Sequence, residues 1–432
     1  MANALFRLAA SFVRPPRQTG AGIAVNENLP AYSVIVALYQ EAGIVPQLLR
    51  ALMALNYPRD RLEILFALEA DDRETLAAFE ACQLPAYARV VRVPPGTPRT
   101  KPRALNHALE QACGDLIVIY DAEDRPAPEQ LREAARAFAA GATDLACLQA
   151  PLRPAGGQGF IARQFTAEYA VQFDILLPAL NALRLPFPLG GTSNHFRADI
   201  LRQAGGWDAF NVTEDADLGF RLARLGYRTG LIMSPTVETP PTLSRIWLPQ
   251  RTRWIKGYMQ TLCVHTRLAT GFQPHVWTGL CLGVGLSIAA ALVYAPFTFL
   301  ICADLLLAGL QQIADPAHPL LVLNGFDLTL FLFGTLSGQI ALALGARRAG
   351  IQLSALDIIG APFYWCLQSV AALFASYQLI AKPFHWDKTE HAPDTETPVF
   401  APRPLYEGQA CAYGLGHDHY RYPDHIAHPS LG

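Results

Sequence analysis

Between residues 31 and 240 the apolar positions fall in short bursts, each cut off by charged residues, proline or glycine and alternating with stretches of helical period. Residues 32–38, 62–68, 89–93 and 116–120 read as buried strands, the third stopped by Pro94-Pro95-Gly96. The segment running through residues 50–55 reads as a helix, as does 104–112. Apolar strands joined through helices predict an α/β domain with a parallel sheet covered on both faces. Ligands collect beyond the carboxyl ends of such strands. That rim is where the pattern places Asp71-Asp72, after the second strand, and Asp121, directly after the fourth.

From Trp277 the pattern changes to long apolar runs. Residues 277–310 are nearly continuous apolar sequence, relieved by Pro296 and Asp304. As one helix they would reach about 50 Å, well beyond the roughly 30 Å hydrocarbon core. They are either one long tilted helix or two short spans meeting near Tyr294-Ala295-Pro296. Residues 328–346 and 356–380 are clearer spans. A tail on the same side as the α/β segment requires an even number of crossings, which favours four spans. That count leaves Arg347-Arg348 on the far side, against the positive-inside tendency, whereas three spans put the arginines inside and the tail outside. The expected division is a tail at 1–30, the α/β domain at 31–245, interfacial helices at 246–276, transmembrane helices at 277–381 and a C-terminal tail at 382–432.

Composition agrees with a partly lipid-embedded chain. Of 432 residues 51% are hydrophobic and 16% charged, against about 25% charged in ordinary soluble domains, and the mean hydropathy is +0.19. A net charge of −2 argues against nucleic acid, which wants a basic footprint. The eight cysteines are scattered with no CxxC pair, and read as reduced packing residues. Residues 5–13 carry an arginine and are too short for a signal peptide; they suit either a small amphipathic piece on a membrane surface or a frayed tail.

Against this frame, four polar clusters carry chemistry. Asp121-Ala122-Glu123-Asp124 places acids at alternate positions past a strand end, where Asp121 and Glu123 can project toward one divalent cation. Asp124 instead suits capping, preceding Arg125-Pro126. In Thr213-Glu214-Asp215 the apolar spacing at 218, 222 and 225 marks a helix that starts at the acids. That site suits either plain capping or a general base, whose work needs reach. Lys101 opens the helix before the Asp121 strand, where a cation opposes the helix dipole and calls for an anion, a donor phosphate or a salt-bridge acid. In the run 250–254, helical spacing puts Gln250, Arg253 and Trp254 on one face, fit to stack on a sugar ring and bond hydroxyls, or to anchor an interfacial helix.

Taken in order, these residues resemble the membrane-bound family 2 glycosyltransferases, which include cellulose, chitin and hyaluronan synthases. The resemblance covers roughly residues 31–391 and adds Tyr39-Gln40-Glu41, Lys101-Pro102-Arg103-Ala104-Leu105-Asn106 and Gly190-Gly191-Thr192-Ser193-Asn194 to the series. Glu123 stands where the family usually has Asp. The resemblance implies a GT-A, Rossmann-like catalytic domain on the cytosolic face of a bacterial inner membrane. It implies that Tyr39, Glu41, Asp71 and Asp72, with Lys101 and Asp121, hold a UDP-sugar. Asp121 and Glu123 would bind Mg²⁺ or Mn²⁺, Asp215 beside Glu214 would be the base, and Gln250, Arg253, Trp254, Gly191 and Thr192 would line the acceptor site. Residues 384–391 resemble the Trp-x-Lys-Thr segment that follows the last span in bacterial cellulose-synthase-like enzymes, as a gating segment or a juxtamembrane anchor.

The expected activity is inverting transfer of a hexose from a UDP-sugar to a growing polysaccharide, with possible coupling to export. A glycolipid synthase resembling ceramide glucosyltransferase is the alternative. A non-catalytic subunit that binds nucleotide-sugar would tolerate loss of Asp215. A transporter is disfavoured, because Asp304 is almost the only ionisable residue within the apolar spans.

Overall fold

The computed structural model describes residues 1–13, 28–267, 271–314 and 325–383, all within one compact unit, Met1–Thr397. Residues 384–391, with their Trp-x-Lys-Thr resemblance, lie outside the described residues. The chain opens with α1 (Ala2–Ala10). Ten strands follow: β1 (Tyr32–Leu38), β2 (Leu62–Glu69), β3 (Ala88–Val93), β4 (Leu116–Tyr120), β5 (Arg125–Pro126), β6 (Leu145–Gln149), β7 (Leu152–Pro154), β8 (Asn194–Arg197), β9 (Arg228–Leu231) and β10 (Thr236–Glu238). Between them run α2 (Val45–Met53), α3 (Arg73–Glu80), α4 (Lys101–Gln111), α5 (Gln130–Ala140), α6 (Phe160–Val171), α7 (Leu177–Ala182), α8 (Ala198–Gln203) and α9 (Glu214–Arg224). The four strands expected from apolar bursts are present with nearly the expected limits. The helix expected from residue 104 begins earlier, at Lys101, because Pro102 sits in its first turn, where a missing N–H costs nothing.

The main sheet has seven strands in the order β3-β2-β1-β4-β8-β6-β9. Its first four are parallel, but β8 runs antiparallel to both β4 and β6. The sheet is therefore mixed, correcting the all-parallel expectation; β8 is too short, and its His195 and Asn194 too polar, to register as an apolar burst. A small second sheet, β5-β10-β7, sits beside it. Alternation along β1 divides the core. Val34, Val36 and Leu38 face α2 and α5 with Phe66 and Phe79, whereas Ile35 faces α4, Trp207 and Leu218. With both faces covered, only the strand ends remain open to ligand.

After β10 the chain becomes helical: α10 (Ser244–His265), α11 (Pro274–Leu280), α12 (Leu286–Ala314), α13 (Gly325–Arg348) and α14 (Ala355–Ala381). Three helical runs among the described residues are long and apolar enough to cross a membrane: Pro274–Gln311, Gly325–Arg348 and Ala355–Ala381. The preferred count of four spans is thus replaced by three long helices. Pro296 does not split α12. Its cost is reduced because the N–H of Ala295 donates to Ser369 Oγ on α14 at 3.0 Å.

Two contacts define how these helices sit on the α/β domain. Arg348, at the end of α13, donates to the carbonyl of Asp174 at 2.9 Å and to that of Ser11 at 2.5 Å. The arginine expected on the far side is therefore fastened to the α/β domain and the N-terminal segment. Helix α14 is tied down at both ends. Asp357 meets Arg163 at 2.7 Å, and the carbonyl of Pro383 accepts from Gln260 at 2.9 Å. Its opposite face leaves Leu356, Ile359, Phe363, Leu373, Tyr377 and Ile380 exposed. Helix α1, expected as either a surface piece or a frayed tail, packs against α13 and buries Ala4 and Ala10.

Candidate active site

Four chain segments converge where β1, β2 and β4 end. The turn after β4 carries Asp121 and Glu123. The start of α9 carries Glu214 and Asp215, the start of α4 carries Lys101, and the loop before β8 carries Gly191 and Thr192. All of these line one cavity of about 770 Å³. Asp124 does not: it is buried, its Oδ2 accepting the Asp121 N–H at 2.7 Å and the Thr192 hydroxyl. It holds the turn that carries Asp121; the helix cap expected of it is not found, because a strand, β5, follows directly and Glu129 stands at the N-cap of α5.

Lys101 sits at the centre. It pairs with Asp121 Oδ1 and donates to the Gly191 carbonyl at 2.8 Å. Burial pulls its pKa down, but the charges of Asp121, Glu214 and Asp215 outweigh that and hold it above its ordinary value. Lys101, with Arg253 acting on Glu214, does not balance this cluster. Burial first, then Glu214 and Asp121, push Asp215 well above the usual carboxylate range despite Lys101. Burial likewise raises Glu214. Glu238, at the end of β10, is raised by burial and then by Glu123 and Asp124. Asp215 Oδ1 is buried without a hydrogen-bond partner.

The donor-side residues divide. Tyr39 and Glu41 line the cavity. Arg99 lines it too, binding Asp71 at 2.7 Å and the Tyr39 hydroxyl at 3.2 Å while its guanidinium lies 5.5 Å from the Tyr39 ring centre. Asp71 stands at the rim, with its side chain 51% exposed. Asp72 is turned to structure: Oδ1 caps α3 through the Thr75 N–H at 3.2 Å, and Oδ2 accepts the Gln40 N–H at 2.5 Å. Both of its oxygens are engaged, so it shapes the loop that carries Tyr39 and Glu41.

Helix α10 closes the cavity with Gln250, Arg253 and Trp254 on one face, as the spacing predicted. Its approach to α9 depends on Gly257, where an added Cβ would fall 2.3 Å from Thr213 Oγ1, the residue before Glu214. Trp254 packs beside Phe165 and Tyr169, and the Arg251 guanidinium lies 4.7 Å from its ring centre. Arg251 forks onto Glu168 at 3.0 and 2.6 Å. The sequence pattern missed Arg99, Glu168 and Glu238. Each is a lone charge with no local motif, and only tertiary folding brings it to the cavity.

Among the described residues no group of three His, Cys, Asp or Glu side chains forms a ready-made metal cage. Mg²⁺ and ions of its kind often use one or two carboxylates and complete their shell with water and substrate phosphates. Asp121 and Glu123 both line the cavity, and a pair of carboxylates there fits such a cation.

The chain is similar in sequence and fold to several known proteins. A beta-monoglucosyldiacylglycerol synthase of Synechocystis is 28% identical over 273 residues, covering 61% of this chain and 54% of that protein. The probable glycosyltransferase YdaM of Bacillus subtilis is 27% identical over 249 residues, 54% and 56% of the two chains. The cellulose synthase 1 catalytic subunit of Komagataeibacter xylinus is 25% identical over 274 residues, 62% of this chain and 35% of that one. The match thus spans about half or less of these relatives. A solved mannosyltransferase of Pyrobaculum calidifontis, in complex with GDP-Man and Mn²⁺, superposes with a TM-score of 0.52 at 20% identity, covering 88% of this chain and 95% of that one. That likeness shows the shared GT-A fold. Residues 30–257, more than half of the 432, match the family described as glycosyltransferase like family 2, and the chain belongs to that family.

Proposed function

We propose that this chain transfers one hexose from a UDP-sugar to a lipid acceptor, inverting the anomeric centre, with its catalytic domain on the cytosolic side of a bacterial inner membrane. The cavity carries the reading. From the carboxylates it continues between α12 and α13, where Ile288, Ala291, Phe297, Leu330, Phe331 and Leu342 line it. Val293, also in its wall, is 58% exposed. An apolar chain entering sideways can bury itself along that wall while its polar head reaches Asp215. A polysaccharide would find few partners there for its hydroxyls. The similarity to glucosyldiacylglycerol synthases supports the same choice.

In this reading Asp215 accepts the proton of the acceptor hydroxyl. The oxygen attacks the anomeric carbon from the face opposite the nucleotide, and the bond to the diphosphate breaks. Lys101 and Arg99 face the charge released on UDP, and Tyr39 and Glu41 flank the nucleoside. Asp121 and Glu123 would hold a divalent ion, which when bound neutralises diphosphate charge. Gln250, Arg253 and Trp254 orient the acceptor, with Gly191 and Thr192 forming the floor beneath it. In the same reading α12 and α13 cross the membrane as a hairpin, while α14, tied at both ends, lies along the catalytic domain.

The second reading, polymer synthesis, is favoured by the aromatic wall of Trp254, Tyr258, Tyr294 and Trp365, which suits stacking on sugar rings. Purified chain given a panel of radiolabelled UDP-sugars, Mn²⁺ and membrane lipid separates the two. One labelled band in the organic extract supports lipid transfer; label retained as high-mass, water-soluble polymer overturns it.

A further inference from the structure

Gln149, the last residue of β6, is fully buried and stands behind the wall of the cavity, which is lined in front of it by Gly190, Gly191 and Thr192. Its amide is wholly taken up by backbone groups. Oε1 accepts the Gly190 N–H at 2.7 Å, and Nε2 donates to the carbonyls of Thr192 at 3.0 Å and Ala150 at 2.8 Å. Only this orientation of the amide works, since turning it over would set oxygen against two carbonyls and NH₂ against an N–H. Two of the three bonds close on either side of Gly191, so that one side chain does for this loop what a neighbouring strand does in a sheet.

The loop so braced touches each reacting group. The Gly191 carbonyl accepts from Lys101 at 2.8 Å. A Cβ added to Gly191 would stand 3.6 Å from Asp215 Oδ2, so the loop backbone lies against that carboxylate. The Thr192 hydroxyl donates to Asp124, which in turn accepts the Asp121 N–H. Lys101 also pairs with Asp121, and its flexible four-carbon stem would let the ammonium settle wholly on that carboxylate. The Gly191 carbonyl opposes such a collapse only while the loop stays in place. We infer that Gln149 is a positioning residue for the transfer: by fixing the Gly190–Thr192 loop it holds the Lys101 ammonium where the departing diphosphate needs it. The inference rests on the proposed role of Lys101, and it holds for a lipid or a polymer product alike.

The test gives the full chain Mn²⁺, membrane lipid and the radiolabelled UDP-hexose that yields product, and counts label in lipid and polymer together. Gln149→Leu keeps the bulk and removes all three bonds. It should lose about 10²-fold in kcat, the order for a misplaced catalytic group, with donor KM within about threefold of wild type. Gln149→Asn draws the amide back by one methylene and should lose about tenfold; it carries the test if Gln149→Leu does not fold. Calorimetric binding of UDP with Mn²⁺ reports folding. The deciding arm is a cycle with Lys101→Met. If Gln149 acts through Lys101, substituting it in the Lys101→Met chain should cost no more than about a further twofold. Losses that multiply, a kcat close to wild type, or a loss carried by donor KM instead of kcat make Gln149 structural only and overturn the inference. A Lys101→Met chain as active as wild type overturns instead the role given to Lys101, and the inference falls with it.

Discussion

Asp215 is buried 7% exposed next to Glu214, in a position where catalysis and stability pull in opposite directions. Loss of a positioned general base costs about 10² to 10⁴ in kcat, so Asp215→Asn should fall in that range with donor KM within about threefold of wild type. A variant keeping more than a tenth of the activity excludes Asp215 as the base. Burial and Glu214 raise its pKa, so between the unfolded and folded values the native chain holds the extra proton. Stability therefore declines as pH rises through that window. Above it the ionised carboxylate is a net cost. Asp215→Asn should accordingly raise Tm at pH 8 without metal, by about 2 °C for a gain of about 1 kcal/mol. Differential scanning calorimetry reads this directly. The same electrostatics sets the pH profile. The acidic limb of kcat/KM should move to lower pH in Glu214→Gln, which removes a neighbour that raises Asp215. In Lys101→Met it should move up, since Lys101 lowers Asp215. Shifts in the same direction would refute the assignment. Asp121 and Asp215 were legible in the sequence because a strand end and a helix start mark them. The duty of Asp72 was not: it follows from Gln40, whose φ of 53° turns its N–H toward that carboxylate. Glu238 had no local signature at all.

Helix α10 shows what an element-level pattern conveys and what it omits. Its spacing announced one face with Gln250, Arg253 and Trp254, yet Arg251, between them, anchors the helix. Arg251 joins α10 to α6 through Glu168, and Glu168 in turn holds Tyr364 and Gln368 of α14. Three helices from distant parts of the sequence meet at one carboxylate, a relation no window of sequence contains. Glu168→Ala should destabilise the fold by about 3 kcal/mol, the lower end for breaking such a pair, because the Arg251 and Glu168 side chains keep 11% and 29% exposure. Adding Arg251→Met should recover part of the loss by removing the unbalanced charge. Urea unfolding of the two single variants and the double variant checks this; a purely additive result would show that the pair does not act as a unit. Pro296 teaches the converse. In sequence it reads as a break, and in the fold Ser369 from another helix takes up the neighbouring N–H, so α12 continues.

At the scale of the whole molecule the question is which side of the membrane the chain finally reaches. Length and hydropathy count three crossings, which would put residues after Ala381 opposite the catalytic domain. The tethers argue otherwise. The start of α14 is bound to α6 through Arg163 and Gln164, and its end to α10 through Lys256 and Gln260. Helix α10 is itself fastened to α9 by His265 and Asp217 at 3.0 Å. From these contacts we propose that both ends of α14 sit on the catalytic side, where its exposed row of Leu356, Ile359, Phe363 and Tyr377 suits a helix lying in the membrane surface. Two crossings by α12 and α13 then satisfy both the even count and the position of Arg348. In a variant keeping only the exposed Cys113 of the α/β domain, cysteines introduced by Lys382→Cys or Phe326→Cys can be compared with it. A membrane-impermeant maleimide should reach Lys382→Cys from the same face as Cys113, in inverted vesicles, and Phe326→Cys only from the opposite face. Labelling of Lys382→Cys from the side opposite Cys113 would restore three crossings and mean that the tethers of α14 do not persist in the bilayer.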